Sequence, residues 1–156
     1  MIKVLFMDVD GTLTDGKINI GENGEIFKSF NVKDGFGIKK MMRENILPVI
    51  VTGRCSKIVE YRCAELGITK IYQNISNKEA FITKYMSEMN ISKEEAAFIG
   101  DDDNDLEAMK LCGISFAPCD ASKAVKQIAT IILQNKGGEG CVREAIEIIM
   151  DENYNL

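Results

Sequence analysis

The sequence predicts a three-layer α/β fold built around a mostly parallel sheet. Short apolar runs alternate with segments of helical periodicity along the chain, as strands joined by crossover helices require. Acidic residues gather where two of those runs end, at Asp8-Val9-Asp10-Gly11 and at Gly100-Asp101-Asp102-Asp103-Asn104-Asp105. A length of 156 residues and a 46% hydrophobic content suit one domain, 1–156, with a substantial core.

The apolar run at 2–7 is the first strand. From Lys17 to Phe30 the pattern is a hairpin: Ile18 and Ile20 alternate, Gly21-Glu22-Asn23-Gly24 turns, and Ile26 lies on the return. A helix follows from about Phe36 to Glu44, with Ile38, Met41 and Met42 inward. Leu47 to Val51 is a strand that tolerates Pro48 near its start. Ser56 to Leu66 is a helix ended by Gly67, and Ile71-Tyr72 a short strand. In the next helix Phe81, Ile82, Tyr85, Met86 and Met89 share one face. Ser92 and Glu95 have capping-box spacing and lead into a strand at 97–100. Then come a helix at Leu106–Leu111, a strand at Ile114–Ala117 and a helix at Ser122–Ile128. A strand at Thr130–Leu133 and a helix at Cys141–Ile149 complete the pattern, and Asp151 to Leu156 are expected to fray.

Composition excludes several chemistries. With 24 acidic and 19 basic residues, the net charge of −5 provides no basic footprint for nucleic acid or an anionic membrane. The opening apolar run is too short to span a bilayer and lacks a signal-peptide layout, so cytoplasmic residence is expected. Histidine is absent, which removes imidazole acid–base catalysis and His-based zinc sites. The five cysteines are dispersed without a CxxC pair and read as reduced thiols.

In a parallel sheet, loops leaving the carboxyl ends of the strands share one crevice. Asp8, Thr52 and Asp101 each follow such an end and can converge there. Crowded carboxylates at strand ends suit a hard cation, Mg²⁺ being the natural case. With the cation present, Asp8 could attack phosphorus while Asp10 handles a proton; equally, Asp-Gly could form a plain turn. Thr52-Gly53-Arg54 combines a hydroxyl, close backbone approach and a fork-shaped cation before a helix, although such triplets also start ordinary helices. Lys78 at a helix start would be disfavoured by the dipole without a partner anion. Asp101 suits metal, and Asp102 or Asp105 could hold the loop. Gly137-Gly138-Glu139-Gly140 lacks the lysine of a nucleotide-binding loop, and reads as a link or as a flexible cover for a pocket.

Taken in order, Asp8-x-Asp10-Gly11-Thr12, Thr52, Lys78 and Gly100-Asp101-Asp102-x-x-Asp105 resemble the four motifs of the haloacid dehalogenase-like phosphohydrolases. The short intervals between motifs place the resemblance with capless members, implying a Rossmann-like fold with only the small hairpin at about 17–30 inserted. Thr14-Asp15-Gly16, Phe30-Asn31-Val32-Lys33-Asp34-Gly35-Phe36-Gly37-Ile38, Thr52-Gly53-Arg54, Arg62-Cys63-Ala64 and Gly137-Gly138-x-Gly140 with Arg143-Glu144 narrow it. They resemble the 3-deoxy-D-manno-octulosonate 8-phosphate phosphatase group.

This resemblance implies a Mg²⁺-dependent phosphomonoesterase acting on a phosphorylated keto-sugar acid. Asp8 would be the nucleophile and Asp10 the acid and base. Mg²⁺ would be held by the side chains of Asp8 and Asp101 and the backbone oxygen of Asp10. Thr52, Gly53 and Lys78 would bind phosphate, with Asp102 and Asp105 in support and Arg54, Arg62 and Arg143 as candidates for the sugar acid. A homotetramer is implied, the hairpin of one subunit closing a neighbour's site. Two alternatives stand beside this reading: a phosphatase of nine-carbon 9-phosphates, such as those of 2-keto-3-deoxynononate or N-acetylneuraminate, and a non-catalytic module associated with sugar-acid activation.

Overall fold

A computed structural model describes residues 1–154. The central sheet contains β1 (Val4–Met7), β4 (Leu47–Val51), β5 (Lys70–Tyr72), β6 (Ala96–Ile99), β7 (Ile114–Ala117) and β8 (Ile131–Ile132). Its order is β5-β4-β1-β6-β7-β8, and every pairing is parallel. A separate antiparallel hairpin pairs β2 (Asn19–Gly21) with β3 (Gly24–Phe27). Chain order reverses beside β1: β4 and β5 build outward on one side, β6 to β8 on the other. Parallel α/β sheets open a crevice at such a reversal.

Helices cover both faces, which is why the inner strands read as unbroken apolar runs. On one side Leu5, Met7, Ile50 and Ile99 pack with α1 (Val32–Arg43), α2 (Lys57–Leu66) and α6 (Cys141–Tyr154). On the other, Val4, Phe6, Val49 and Phe98 meet α3 (Lys78–Glu88), α4 (Leu106–Leu111) and α5 (Lys123–Ile128). No described helix is long and apolar enough to cross a membrane.

Two helices differ from expectation. α1 begins at Val32, four residues before Phe36, because Asn31 caps it by accepting a hydrogen bond from Lys33 N at 2.8 Å. Gly35 and Gly37 therefore lie within a helix, where the missing side chains make room for neighbours. A Cβ on Gly35 would sit 2.5 Å from an Arg62 nitrogen, and one on Gly37 would sit 2.8 Å from Arg143 Cδ. α6 continues past Ile149 to Tyr154, so Asp151 to Tyr154 are helical rather than frayed; positions 155 and 156 lie outside the described residues. Asn153 holds that extension down, accepting from Ile2 N at 2.8 Å and donating to Ile2 O at 3.0 Å.

Smaller shifts affect strand ends, with β1 at 4–7, β6 at 96–99 and β8 at 131–132. Met89 ends α3 as its half-exposed C-cap instead of joining the inner face. The Ser92–Glu95 capping box forms as its spacing predicts, and Gly67 ends α2 at φ +81°.

Candidate functional site

Three strand ends bring the site together. After β1 the chain coils tightly: the amides of Thr12, Leu13 and Thr14 all donate to Val9 O, and the Thr14 hydroxyl accepts from Gly11 N and Gly16 N. Gly11 adopts φ +89°, and a Cβ there would lie 2.0 Å from an Asp101 carboxylate oxygen. Glycine is thus required twice, for its backbone angle and for the space Asp101 occupies. Asp8 is buried at the mouth of β1, with its amide tied to Ile99 O of β6.

After β4, buried Thr52 is held from both sides, its amide donating to Tyr72 O and its carbonyl accepting from Ile75 N. After β6, Asp105 organises the acidic loop. Its Oδ2 accepts from Asp101 N at 3.0 Å and Asp102 N at 3.2 Å. Asp102 caps the short 3₁₀ turn at Asp103–Asp105 and faces a cleft with Asp8, Asp10, Thr52, Gly53, Arg54 and Asn104. The role of holding the loop, open between Asp102 and Asp105, is chiefly that of Asp105.

Lys78, at the start of α3, is buried and inserts its ammonium between two carboxylates. Nζ donates to Asp8 Oδ1 at 2.8 Å and to Asp105 Oδ1 at 2.6 Å. Burial alone would lower its pKa; the two carboxylates outweigh that and raise it above the ordinary lysine value. The two carboxylates also answer the dipole penalty of a lysine in a first helical turn.

The carboxylates of Asp8, Asp101 and Asp105 each place an oxygen within 4.8 Å of the others. Burial, then the charge of Asp8, pushes Asp101 up to about 8. The same two causes raise Asp105 to about 6 against the opposing pull of Lys78. Such crowding of hard oxygen donors fits a divalent cation, which relieves the repulsion that protonation would otherwise relieve. Because Asp105 is committed to Lys78 and two loop amides, Asp8 and Asp101 are the freer pair of oxygen donors.

Asp10 is gripped by a residue that sequence reasoning missed. Lys28 Nζ lies 2.6 Å from Asp10 Oδ1 and 3.0 Å from Glu25 Oε2, and its side chain is 1% exposed. Burial opposes the Lys28 charge, but hydrogen bonds to Asp10 and Glu25 raise its pKa overall. A lysine following a mostly exposed hairpin strand carries no local signal for this role. Arg54 approaches the other Asp10 oxygen, with Nε 3.9 Å from Oδ2.

Arg62 and Arg143 are not brought to this cleft within the protomer. Arg62 lines a small cavity with Phe30 and Asp34, pairs with Glu65 at 3.3 Å and lies over the Phe30 ring. Arg143 pairs with Glu147 at 2.6 Å and borders a separate cleft with Lys33 and Glu139.

The glycine-rich segment braces the site from below. Gly138 N donates to Thr12 O at 3.0 Å, and the Cys141 thiol reaches the same carbonyl at 3.2 Å. A Cβ on Gly137 would fall 1.9 Å from Gly11 O, so this is a backbone-on-backbone contact that only glycine permits. The segment links β8 to α6, and these contacts fix it against the first loop. Buried Asp34 ties the adjoining start of α6 to α1 by accepting from Arg143 N at 2.8 Å.

A family model for haloacid dehalogenase-like hydrolases matches residues 55–146. The chain is 42% identical over 149 residues to the 3-deoxy-D-manno-octulosonate 8-phosphate phosphatase KdsC of Escherichia coli K12, covering 96% of this chain and 79% of the relative. Among solved structures, the cobalt-bound deoxy-D-mannose-octulosonate 8-phosphate phosphatase of Haemophilus influenzae superposes with a TM-score of 0.92 at 41% identity. That match covers 96% of this chain and 88% of the other. The corresponding phosphatase of Moraxella catarrhalis, solved with magnesium, phosphate and KDO, gives a TM-score of 0.92 at 35% identity, covering 96% and 86%.

Proposed function

Since the chain belongs to the haloacid dehalogenase-like hydrolases, we propose that residues 1–156 act as one Mg²⁺-dependent phosphatase domain. It hydrolyses 3-deoxy-D-manno-octulosonate 8-phosphate to the free sugar acid and phosphate. The observation that carries the chemistry is the meeting of Asp8, Asp101 and Asp105 around the Lys78 ammonium at adjacent strand ends. Similarity to the octulosonate phosphatases over 96% of the chain supports the substrate.

Asp8 Oδ1 is held by Lys78, which leaves Oδ2 to attack phosphorus. As the new P–O bond forms, the ester P–O bond breaks and Asp10 gives its proton to the departing sugar alkoxide. Asp10 then takes a proton from water, which attacks the aspartyl-phosphate; the bond to Asp8 breaks and phosphate leaves. Thr52 and the Gly53 backbone hold the transferring oxygens. Lys78 adds its third N–H, since two are spent on carboxylates. Asp8, Asp101 and the Asp10 carbonyl would hold Mg²⁺, which when bound neutralises the phosphoryl oxygens. Asp102 supports the loop, and Arg54 lies where it can meet the anionic sugar acid.

The assembly inferred is a homotetramer in which the hairpin of one subunit closes a neighbour's cleft. Its support is apolar surface: Ile20, Ile26 and Phe27 are 69%, 61% and 51% exposed. Arg62 and Arg143, which line other cavities of their own protomer, would meet substrate only in a neighbouring subunit's cleft.

Phosphate release with Mg²⁺ should be compared across the eight-carbon 8-phosphate, the two nine-carbon 9-phosphates and a hexose phosphate. A clear preference for the eight-carbon ester is expected. Preference for a nine-carbon ester would reassign the substrate while keeping the mechanism, and no release from any of them would overturn the enzymatic reading.

A further inference from the structure

A part-buried polar chain links the hairpin to Asp10, and the phosphoryl-transfer steps above leave its members Lys28, Glu25 and Ser56 without a role. Asp10 Oδ1 accepts from Lys28 Nζ at 2.6 Å. Lys28 also meets Glu25 Oε2 at 3.0 Å, and the other Glu25 oxygen accepts from Ser56 Oγ at 2.5 Å. Ser56 N in turn donates to Gln73 Oε1 at 2.7 Å. The chain thus runs from the first catalytic loop, through the hairpin, to the helix start beyond Thr52-Gly53-Arg54.

Two details distinguish this from an ordinary surface ion pair. The Lys28 side chain is almost wholly enclosed, and a buried ammonium is tolerated only when its charge and donors are matched. Ser56 occupies the N-cap position of α2, yet its hydroxyl makes no cap hydrogen bond and turns to Glu25 instead. A local helix preference has yielded to a longer-range contact, the kind of inconsistency that collects at functional sites.

The clamp also makes the two oxygens of Asp10 unequal. Oδ1 accepts a charged hydrogen bond from Lys28, whereas Oδ2 has only Arg54 Nε, 3.9 Å away. The ammonium at Oδ1 disfavours a proton there, so both proton transfers assigned to Asp10 run through Oδ2, with a geometry set by how firmly Oδ1 is held. We propose that Lys28, fixed by Glu25 and Ser56, is a positioning residue that presents Asp10 Oδ2 to the leaving group and to the attacking water. The inference rests on the acid–base reading of Asp10. It also gives the hairpin two tasks, since Glu25 and Lys28 serve their own protomer's cleft while Ile20, Ile26 and Phe27 stand exposed.

The test uses the intact Mg²⁺-loaded protein and a series of phosphate monoesters, from the sugar-acid ester to 4-nitrophenyl phosphate. For each, kcat/KM reports the steps through departure of the leaving group. An alkoxide needs a well-aimed proton, and 4-nitrophenolate leaves without one. Lys28→Met should lower kcat/KM for the alkyl ester roughly 100-fold, within the usual range for acid–base assistance, and for 4-nitrophenyl phosphate by less than about fivefold. Lys28→Arg should recover at least about tenfold, and Glu25→Gln should show the same leaving-group pattern in weaker form, so the test survives poor folding of Lys28→Met. Equal losses on both esters, a raised KM with kcat intact, or no loss would each overturn the proposal. Asp10→Asn separates the two failures. If it discriminates between leaving groups and the Lys28 variants do not, only the positioning role falls; if neither does, the acid–base reading of Asp10 falls as well.

Discussion

Magnesium affinity should depend steeply on pH, because the cation must displace a proton from Asp101. In the cation-free protein that carboxyl is raised to about 8, by burial first and the charge of Asp8 second. Proton competition multiplies the apparent dissociation constant by 1 plus the ratio of acid to base forms. That factor is roughly 100 at pH 6, about 11 at pH 7, about 2 at pH 8 and close to unity at pH 9. Apparent affinity should therefore tighten nearly 100-fold from pH 6 to pH 9, or about 2.7 kcal/mol, with most of the gain below pH 8. Calorimetric Mg²⁺ titration at constant ionic strength measures this directly, and proton release per ion should fall from nearly one at pH 6 toward zero at pH 9. Asp8→Asn should abolish turnover but still permit the titration. With the Asp8 charge gone, the steep region should move to lower pH without vanishing, because burial of Asp101 remains. An affinity that is flat from pH 6 to pH 9, with no proton release, would refute Asp101 as a crowded ligand.

Gly11→Ala should cost about 1–2 kcal/mol from the left-handed backbone alone and also displace the Asp101 carboxylate, weakening Mg²⁺ activation at least tenfold. Gly16→Ala, at φ +81° but with its nearest contact at 3.3 Å, should share the stability cost in urea melts and keep its Mg²⁺ response; identical Mg²⁺ behaviour of the two variants would contradict the steric account. Replacing Ile20 and Ile26 with Ser should lower the oligomeric state in sedimentation and reduce kcat/KM together. A variant that stays assembled and fully active would remove the hairpin from the interface.

The strand-end carboxylates were legible because both faces of the sheet are covered. β1, β4 and β6 are then continuous apolar runs, and whatever polar residue ends each run stands out. Asp8, Thr52 and Asp101 could be placed in one crevice from that pattern alone. The start of α1 was less legible, because the apolar periodicity begins only near Phe36 and nothing local announces that the Arg62 and Arg143 side chains occupy the space beside Gly35 and Gly37. Lys28 was invisible for a related reason. Its partner Asp10 lies 18 residues away across the hairpin, and only the folded return of the chain turns a solvent-type lysine into a buried one. Choosing between Asp102 and Asp105 likewise needed the acidic loop's hydrogen bonds, since spacing favoured neither.

The brace beneath the first catalytic loop bears on the order in which the protein is made. The loop that follows Asp8 precedes its brace in the chain: the Thr12 carbonyl is covered by a thiol 129 residues further along, and Gly137 abuts Gly11. Contacts of such sequence separation close late. A nascent chain therefore carries Asp8, Asp10 and Asp101 well before it can hold them in register. Under the proposed mechanism, that loop gains its support only when the stretch between β8 and α6 has docked.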